Sequence, residues 1–421
     1  MAKLYNKIHI IFEHTSLYLF LIAIVLFRLP SFYFLPGGSA LFTTQVLARI
    51  LIAFVFLLKI TENLHTNGEI FSDRKTRTII LLVMALFLVQ SLSIVSAINH
   101  EAFLFRYLKD VLPGLLTFFT FYFFRSEYRK IIFAIVLPII FNSLYQFIAI
   151  LDRNLFMDIA KNLIYDRHLS FILYDLDRGR IYIDTYDEAA IPLLFTANIV
   201  PSPFLSYLLI GVTAFFSFIS NWRIRILMLF FSFISTFIAL KKVKPQLFII
   251  LTLIIFFIGY LVNLVSIRTL GFSFLDRITL QEKVEDVTSL SYRTEQIENA
   301  FGMGLTSLFG VGLGNYYDNL TTKARTPSGL YDRNVLEGTE GNLHNIFAAF
   351  TAESGYISLV LFLIILVMFV RSDMEILKRK NKYKRALVIS FWTIFIFTLL
   401  NPNVGGAYQV FFWGTRGLLL K

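Results

Sequence analysis

The sequence predicts an all-α, polytopic integral membrane protein with about twelve transmembrane helices. Of its 421 residues, 57% are hydrophobic and only 16% are charged, whereas an average soluble domain is about 45–50% apolar and about a quarter charged. The apolar residues form blocks such as 204–220, 247–265 and 357–370, which are largely apolar on every side. Several blocks reach the length of about 17–25 residues that a membrane-spanning helix needs. Most Lys and Arg residues lie in the short connectors between blocks.

The apolar blocks give the predicted spans in chain order. They are 12–35, 40–60, 78–97, 108–124, 131–151, 187–200, 204–220, 224–240, 247–265, 346–370, 386–401 and 404–419. Within the first block, Arg28 and Pro30 stand where a signal peptide would have a small-residue cleavage site. We therefore expect the first span to be retained.

Clusters of Lys and Arg orient the spans, because such clusters favour the cytoplasmic side. They occur before span 1 and after spans 2, 4, 8 and 10, so all lie on one side if both termini are cytoplasmic. The clusters are Lys3 and Lys7; Arg74, Lys75 and Arg77; Arg125, Arg129 and Lys130; Lys241, Lys242 and Lys244; and Arg371, Lys378, Arg379, Lys380, Lys382, Lys384 and Arg385.

Pro201-Ser202-Pro203 divides the apolar stretch 187–220. Proline interrupts a helix, so this stretch is either a tight hairpin of two spans or one kinked helix. A single kinked helix would invert all later spans and place the basic connector 371–385 outside. We therefore expect the hairpin.

The same orientation leaves two longer segments on the external face. Segment 152–186 contains an amphipathic stretch around Ile159, Leu163, Ile164 and Phe171, which is expected to lie in the membrane interface. Segment 266–345 is the longest polar part of the chain and contains a helix-like piece, 294–305. A loop of this length that mixes apolar, aromatic and charged residues is expected to fold as a cap over an external site. The predicted domains are residues 1–265 with spans 1–9, the external loop domain 266–345, and residues 346–421 with spans 10–12.

Composition also excludes several kinds of function. The net charge of +11 does not indicate a nucleic-acid partner, because the basic residues do not gather on one face. The chain has no cysteine, so neither disulfides nor thiol chemistry are available. No carboxylate cluster resembles a metal site, so we expect no metal and no cofactor.

The candidate functional residues are cations on the predicted external face. They are Arg180, Arg223, Arg225, Arg293 and His344. Arg223 and Arg225 lie in a short external turn, where basic residues are disfavoured, and an anionic ligand would compensate them. Each residue also has a plainer interpretation. Arg178 or Arg180 could pair with Asp175, Asp177 or Asp184, Arg293 could pair with Glu298, Arg223 and Arg225 could reach lipid headgroups beside Trp222, and a lone histidine at a span boundary is more often structural.

The order of three motifs adds to this pattern. Arg293 leads the helix-like piece in Ser291–Ala300, Gly312 and Gly314 form a Gly-x-Gly turn in Leu308–Gly314, and His344-Asn345 precedes Glu-x-Gly in Leu343–Gly355. This order resembles the O-antigen ligase and polymerase family, and the segments around Arg180 and Ser220–Arg225 resemble that family's earlier motifs. The resemblance covers roughly residues 178–370. Here Trp222 and Ile224 flank Arg223, where the family usually has Ser and Gly, so either Arg223 or Arg225 could have the family's role. Asp184, Asp187 and Glu188 stand where the family carries an Asn-rich element.

The resemblance implies a glycosyltransferase of the bacterial inner (cytoplasmic) membrane with its active site on the periplasmic face. Its donor would be an oligosaccharide on a polyprenyl diphosphate, such as undecaprenyl diphosphate. Its acceptor would be a second lipid-linked glycan in a polymerase, or a lipid A core in a ligase of lipopolysaccharide biosynthesis. Membrane lipids and a chain-length regulator are further candidate partners. We slightly favour the polymerase, because the Lys-, Ile- and Phe-rich composition is typical of AT-rich bacterial genomes, in which genes for surface polysaccharides are common.

The resemblance also implies roles for the candidate residues. Arg293 and His344 are the predicted catalytic residues, and His344 would act either as general base or as a phosphate ligand. Arg180 with Arg223 or Arg225 would bind the diphosphate, while Gly312, Gly314 and Asn345 would shape the substrate loop. Direct attack by the acceptor would invert the anomeric configuration without a metal.

A polysaccharide flippase is the alternative from another class. Secondary transporters are typically built from repeated halves, with polar groups at the bilayer midplane. The sequence has no evident internal repeat, and its ionisable residues concentrate towards the predicted outer face. These features favour the transferase.

Overall fold

The computed structural model describes residues 2–33, 43–65, 73–163, 186–196, 202–220, 223–240, 294, 296–305, 307–316, 318–319, 343, 345–400 and 406–420. Over these residues the chain is helical apart from connecting turns, and the one isolated β-bridge joins Tyr33 and Thr43. The predicted all-α class is confirmed for this part of the chain.

The helices follow in chain order with these bounds. They are α1 (Ala2–Arg28), α2 (Thr44–His65), α3 (Arg74–Leu92), α4 (His100–Arg106), α5 (Leu112–Phe123), α6 (Tyr128–Val136), α7 (Pro138–Leu151), α8 (Arg153–Leu163), α9 (Ile191–Thr196), α10 (Pro203–Ile219), α11 (Arg223–Leu240), α12 (Ile346–Lys378), α13 (Lys382–Leu400), α14 (Ala407–Gln409) and α15 (Thr415–Leu419). Wider π-helical turns at Tyr107–Val111 and Val410–Gly414 join α4 to α5 and α14 to α15. Residues 296–304 form a further helix, here called the loop helix.

Five helical stretches are long and apolar enough to cross a membrane. They are Thr44–Asn63, Arg74–Ser96, Arg125–Ala149, Ile346–Lys378 and Lys382–Leu400, and shorter apolar helices lie at His14–Arg28, Pro203–Phe218 and Ile224–Ala239. Together, the five long stretches and the three shorter helices coincide with eight of the predicted spans. The predicted count of twelve is not confirmed. The sixth span is described only over 187–196, which is helical, and the twelfth consists of two short α-helices joined by a π-helical turn. The ninth, 247–265, lies outside the described residues.

The described residues on either side of 197–201 run antiparallel. Ser217 Oγ in α10 donates a hydrogen bond to Glu188 Oε1 at 2.5 Å, and the rings of Phe195 and Tyr207 lie 6.3 Å apart. The start of the first segment therefore meets the end of the second, and the end of the first meets the start of the second. This pairing supports the predicted hairpin over a single kinked helix.

The connectors predicted on one side of the membrane meet at one end of the bundle, which we call the basic end. Three contacts join them: Lys75 Nζ with Glu375 Oε1 at 2.6 Å, Arg385 Nη1 with the Ala239 carbonyl at 3.0 Å, and the Tyr128 ring with the Tyr383 ring at 5.5 Å. The opposite end, which we call the loop end, joins connector 97–102 to residues 307–316. There the backbone N–H of Asn99 donates a hydrogen bond to Asn315 Oδ1 at 2.6 Å. The two ends agree with the relative orientation that the sequence predicts.

Two smaller elements complete the framework. The predicted amphipathic stretch is helical in α8, and its buried residues Phe156 and Ala160 pack on Tyr145 and Ala149 of α7. Of the residues predicted on its apolar face, Ile164 and Phe171 lie outside the described part of the chain. Residues 406–420 are buried throughout, so the C-terminal segment passes through the middle of the bundle.

Candidate active site

The loop helix, the glycine turn and the start of α12 pack into one cluster at the loop end. Its buried members are Ala300, Tyr316, Leu343, Ala348 and Ala352, and partly buried Ile297, Phe301 and Met303 surround them. The three motifs of the sequence therefore come together in space.

This cluster fixes the chain at positions close in sequence to the two predicted catalytic residues. Tyr316 Oη donates a hydrogen bond at 2.9 Å to the carbonyl of Gln296, three residues after Arg293. Leu343, which precedes His344, is 1% exposed within the cluster. Arg293 and His344 themselves lie outside the described residues, as does Arg180.

Asn345 begins α12 as its N-cap. Its Oδ1 accepts hydrogen bonds from the amides of Phe347 and Ala348 at 2.9 and 3.1 Å, and its Nδ2 donates to the Leu399 carbonyl at 3.1 Å. Asparagine is among the preferred N-cap residues because its side chain satisfies amides that lack a helical partner. The helix N-terminus carries a partial positive charge. The position next to His344 is therefore fixed by two helices and favours an anionic group.

The glycine turn packs directly on connector 97–102. Gly312 has a φ of 92°, and a Cβ on it would lie 2.6 Å from the Cβ of Ala97. Gly314 has a φ of 73°, and its Cβ would lie 2.9 Å from the Ala102 carbonyl oxygen. Only glycine adopts such backbone angles without strain. Backbone conformation and close packing together are therefore a sufficient reason for glycine at both predicted substrate-loop positions.

The predicted span 346–370 is interrupted where it meets this turn. Gly355 has a φ of 77° and a ψ of 175°, so α12 is two helical parts joined at a kink. A Cβ at Gly355 would collide with the Leu308 carbonyl and lie 2.6 Å from the Gly310 amide. The backbone of the turn therefore occupies the space beside the kink. This space is free because the glycine of the Glu-x-Gly motif has no side chain.

Two buried carboxylates and a partly buried arginine lie beneath the turn. Glu353 Oε1 accepts a hydrogen bond from the Gly314 amide at 3.3 Å, and Glu353 Oε2 lies 4.0 Å from Arg106 Nε. Arg106 Nη1 also pairs with Asp110 Oδ2 at 2.8 Å. Glu353 thus joins α12 to the turn and to α4, which is a structural role. Arg106 and Asp110 were not among the residues predicted from the sequence, although their separation of four residues within continuous helical backbone could have indicated an ion pair.

Arg225 lies inside the bundle and pairs with a carboxylate. Its side chain is 4% exposed, and its Nε lies 2.6 Å from Glu188 Oε1. Its Nη1 is buried without a hydrogen-bond partner among the described residues. Arg223 is the first residue of α11, but its side chain lies outside the described part of the chain.

Asp187, adjacent to Glu188, pairs with a second buried arginine. Its Oδ1 lies 2.6 Å from Arg28 Nη2, and Asn142 Nδ2 donates to the same oxygen at 3.3 Å. The Arg28 guanidinium also lies 4.5 Å from the centre of the Phe411 ring. The two carboxylates that follow Arg180 in sequence therefore hold arginines of α1 and α11 in the bundle. The sequence does not indicate either pairing, because the partners are 159 and 37 residues apart.

Among the residues that the structure describes, no group of three or more His, Asp and Glu side chains could hold a metal ion.

Comparison with known families identifies one domain. Residues 204–363 match the family model described as O-antigen ligase. The match contains Arg223, Arg225, Arg293, Gly312, Gly314, His344 and Asn345, whereas Arg180 precedes it. It confirms the resemblance to the O-antigen polymerase and ligase family. No curated protein matches the chain.

Proposed function

We propose that this member of the O-antigen polymerase and ligase family transfers an oligosaccharide from a polyprenyl-diphosphate donor to an acceptor glycan. In this proposal the protein lies in the bacterial inner membrane with both termini in the cytoplasm. The loop end faces the periplasm and contains the active site. Polymerisation of O-antigen or related repeat units is the favoured reaction, and ligation to lipid A core is the alternative within the family.

The observation that carries this proposal is the buried cluster formed by the loop helix, the glycine turn and the start of α12. Tyr316 links this cluster to the carbonyl of Gln296, and Leu343 lies within it. The chain is therefore tied to one framework three residues after Arg293 and directly before His344, although 50 residues separate Arg293 from His344 in sequence. A framework of this kind can hold two polar groups on one substrate.

Cationic side chains such as those of Arg293 and Arg180 would suit the chemistry of the donor. A diphosphate leaving group gains negative charge as the glycosidic bond breaks, and preorganised cations stabilise that charge. Arginine binds phosphate oxygens through two parallel hydrogen bonds and remains charged. Arg293 would bind the diphosphate from the loop, with Arg180 as a further ligand.

The ion pair between Glu188 and Arg225 is the reason to assign different roles to Arg223 and Arg225. Arg225 is buried and already paired with a carboxylate at 2.6 Å, so its charge is neutralised before any substrate binds. We therefore assign diphosphate binding to Arg223 and positioning of the start of α11 to Arg225.

His344 would accept the proton of the acceptor hydroxyl as that oxygen attacks the anomeric carbon. The carbon–oxygen bond to the diphosphate breaks as the new glycosidic bond forms, so one displacement inverts the anomeric configuration. An unperturbed histidine has a pKa near 6.5, which suits a general base at neutral pH. A product with retained configuration would contradict this mechanism.

The direct test is transfer by the purified full-length protein in detergent with EDTA present. The donor is a polyprenyl-diphosphate oligosaccharide, supplied alone and then with a lipid A core. Wild type, Arg293→Ala and His344→Ala are compared. A ladder of products from donor alone that both variants lose would support a metal-independent polymerase. Products that appear only with the core would support the ligase.

A flippase remains the alternative from another class, and the same preparation distinguishes it. Donor binding without any product, together with donor movement across the bilayer of reconstituted vesicles, would overturn the transferase proposal.

A further inference from the structure

A groove between α1 and α6 opens on the side of the bundle. Its volume is about 750 Å³, and it is lined by Leu21, Ile22, Val25, Leu26, Arg129, Lys130, Phe133, Ala134, Leu137 and Tyr383. Ile22 and Phe133 are 49% and 42% exposed, so the apolar wall is open to its surroundings. Because α1 and α6 belong to predicted spans, these surroundings are lipid.

Among the described residues that line the groove, the cations lie at one end. Arg129 and Lys130 occupy the start of α6, while its lining residues further along the helix are apolar. The Arg129 guanidinium lies 5.6 Å from the centre of the Tyr383 ring, and Lys382 Nζ lies 5.1 Å from the same centre. Tyr383 also contacts Tyr128, which places the charged end of the groove at the basic end of the bundle.

We infer that this groove binds an anionic phospholipid of the leaflet at the basic end, with the phosphate at Arg129 and Lys130 and an acyl chain along α1 and α6. Basic pockets between transmembrane helices bind the headgroups of anionic lipids. Lys130 pairs with Glu127 at 2.9 Å, but an exposed pair of this kind contributes little and leaves the cation available.

The length of the groove agrees with one leaflet. From residue 129 to residue 137 a helix rises about 12 Å, and one leaflet contributes about 15 Å of the hydrocarbon core. A polyprenyl-diphosphate donor fits less well, because the candidate active site lies at the loop end and the groove's cations lie at the basic end.

The test measures lipid retention by native mass spectrometry on the full-length protein in detergent. Phosphatidylglycerol is the anionic probe, and phosphatidylcholine with the same acyl chains is the zwitterionic comparison. Each basic side chain near an anionic headgroup contributes about fivefold to affinity, so Arg129→Gln with Lys130→Gln should weaken phosphatidylglycerol binding by on the order of 25-fold. Binding of phosphatidylcholine should be unchanged.

The matched control is Arg74→Gln with Arg77→Gln. Both residues are exposed near the same end of the bundle and outside the groove, so this variant loses the same charge and should bind phosphatidylglycerol like wild type. An equal loss in both double variants would show a nonspecific effect of charge and overturn the inference.

A third variant tests the apolar part of the groove. Val25→Phe adds bulk to the wall without changing charge, and it should reduce the retention of both lipids. Unchanged retention by a variant that elutes as a monodisperse species would place the lipid elsewhere and overturn the inference. None of these measurements depends on transferase activity.

Discussion

At the scale of single residues, the clearest feature is that adjacent carboxylates hold two buried arginines. Asp187 pairs with Arg28 and Glu188 pairs with Arg225, each at 2.6 Å. Removal of one partner from a buried pair typically costs about 3–5 kcal/mol, because the remaining charge loses its compensation. Glu188→Gln should therefore lower the unfolding temperature more than Glu188→Gln combined with Arg225→Gln. Thermal unfolding in detergent is measured for wild type, the two single variants and the double variant. These four measurements form a double-mutant cycle. Additive losses would mean that the pair does not act as a unit.

The assignment of Arg223 and Arg225 gives a second prediction at this scale. Arg223→Gln should greatly reduce glycan transfer while leaving the unfolding temperature near that of wild type. Arg225→Gln should lower both, because Glu188 then lacks its partner. Transfer rate and unfolding temperature are measured on the same preparations. If instead Arg225→Gln lost transfer at full stability, Arg225 would be the diphosphate ligand and our assignment would be reversed.

At the scale of elements, the glycine turn depends on backbone conformation and on close packing. Gly312→Ala would require an L residue at a φ of 92° and would bring its Cβ to 2.6 Å from that of Ala97. Strained conformations of this kind cost on the order of 1–3 kcal/mol, so we expect lower stability and less transfer. Both are measured as unfolding temperature in detergent and as product formed from donor.

Gly302→Ala is the control for this prediction. Gly302 lies in the loop helix, and an added Cβ there meets nothing within 4 Å. Alanine favours a helix over glycine by about 0.5–1 kcal/mol, so this variant should match or exceed wild type in stability and keep its activity. Equal damage in the two variants would mean that the segment tolerates no substitution, and that the contact of Gly312 with Ala97 is not the cause.

At the scale of the whole molecule, the sequence predicts the apolar framework better than its internal contacts. Composition and apolar blocks were sufficient for the all-α membrane fold, and the hairpin around Pro201 followed from the distribution of charge. The kink at Gly355 is not predictable from the apolar pattern, because the apolar block continues through it and the break is required by the packed turn at Leu308–Gly310. Periodicity reports which side of a helix is apolar, whereas a kink or a buried ion pair depends on residues that are distant in sequence. The same reason explains why the motifs pointed to the segments of the candidate site, but not to the pairing of Asp187 with Arg28 or of Glu188 with Arg225, whose partners lie 159 and 37 residues away.

The division into a basic end and a loop end gives a prediction for the entire chain. The wild-type sequence contains no cysteine, so each introduced cysteine is the single reactive thiol of its variant and no native cysteine has to be removed first. His100→Cys and Asn154→Cys lie at exposed positions beside the loop end, and Ser126→Cys and Asn381→Cys lie at exposed positions at the basic end. The first two should react with a membrane-impermeant maleimide in spheroplasts, and the other two only after permeabilisation. The opposite pattern would place the basic connectors outside, against the positive-inside rule, and would move the candidate active site to the cytoplasm. A polyprenyl-diphosphate glycan presented in the periplasm could not reach a site there, so this result would also contradict the proposed transfer reaction.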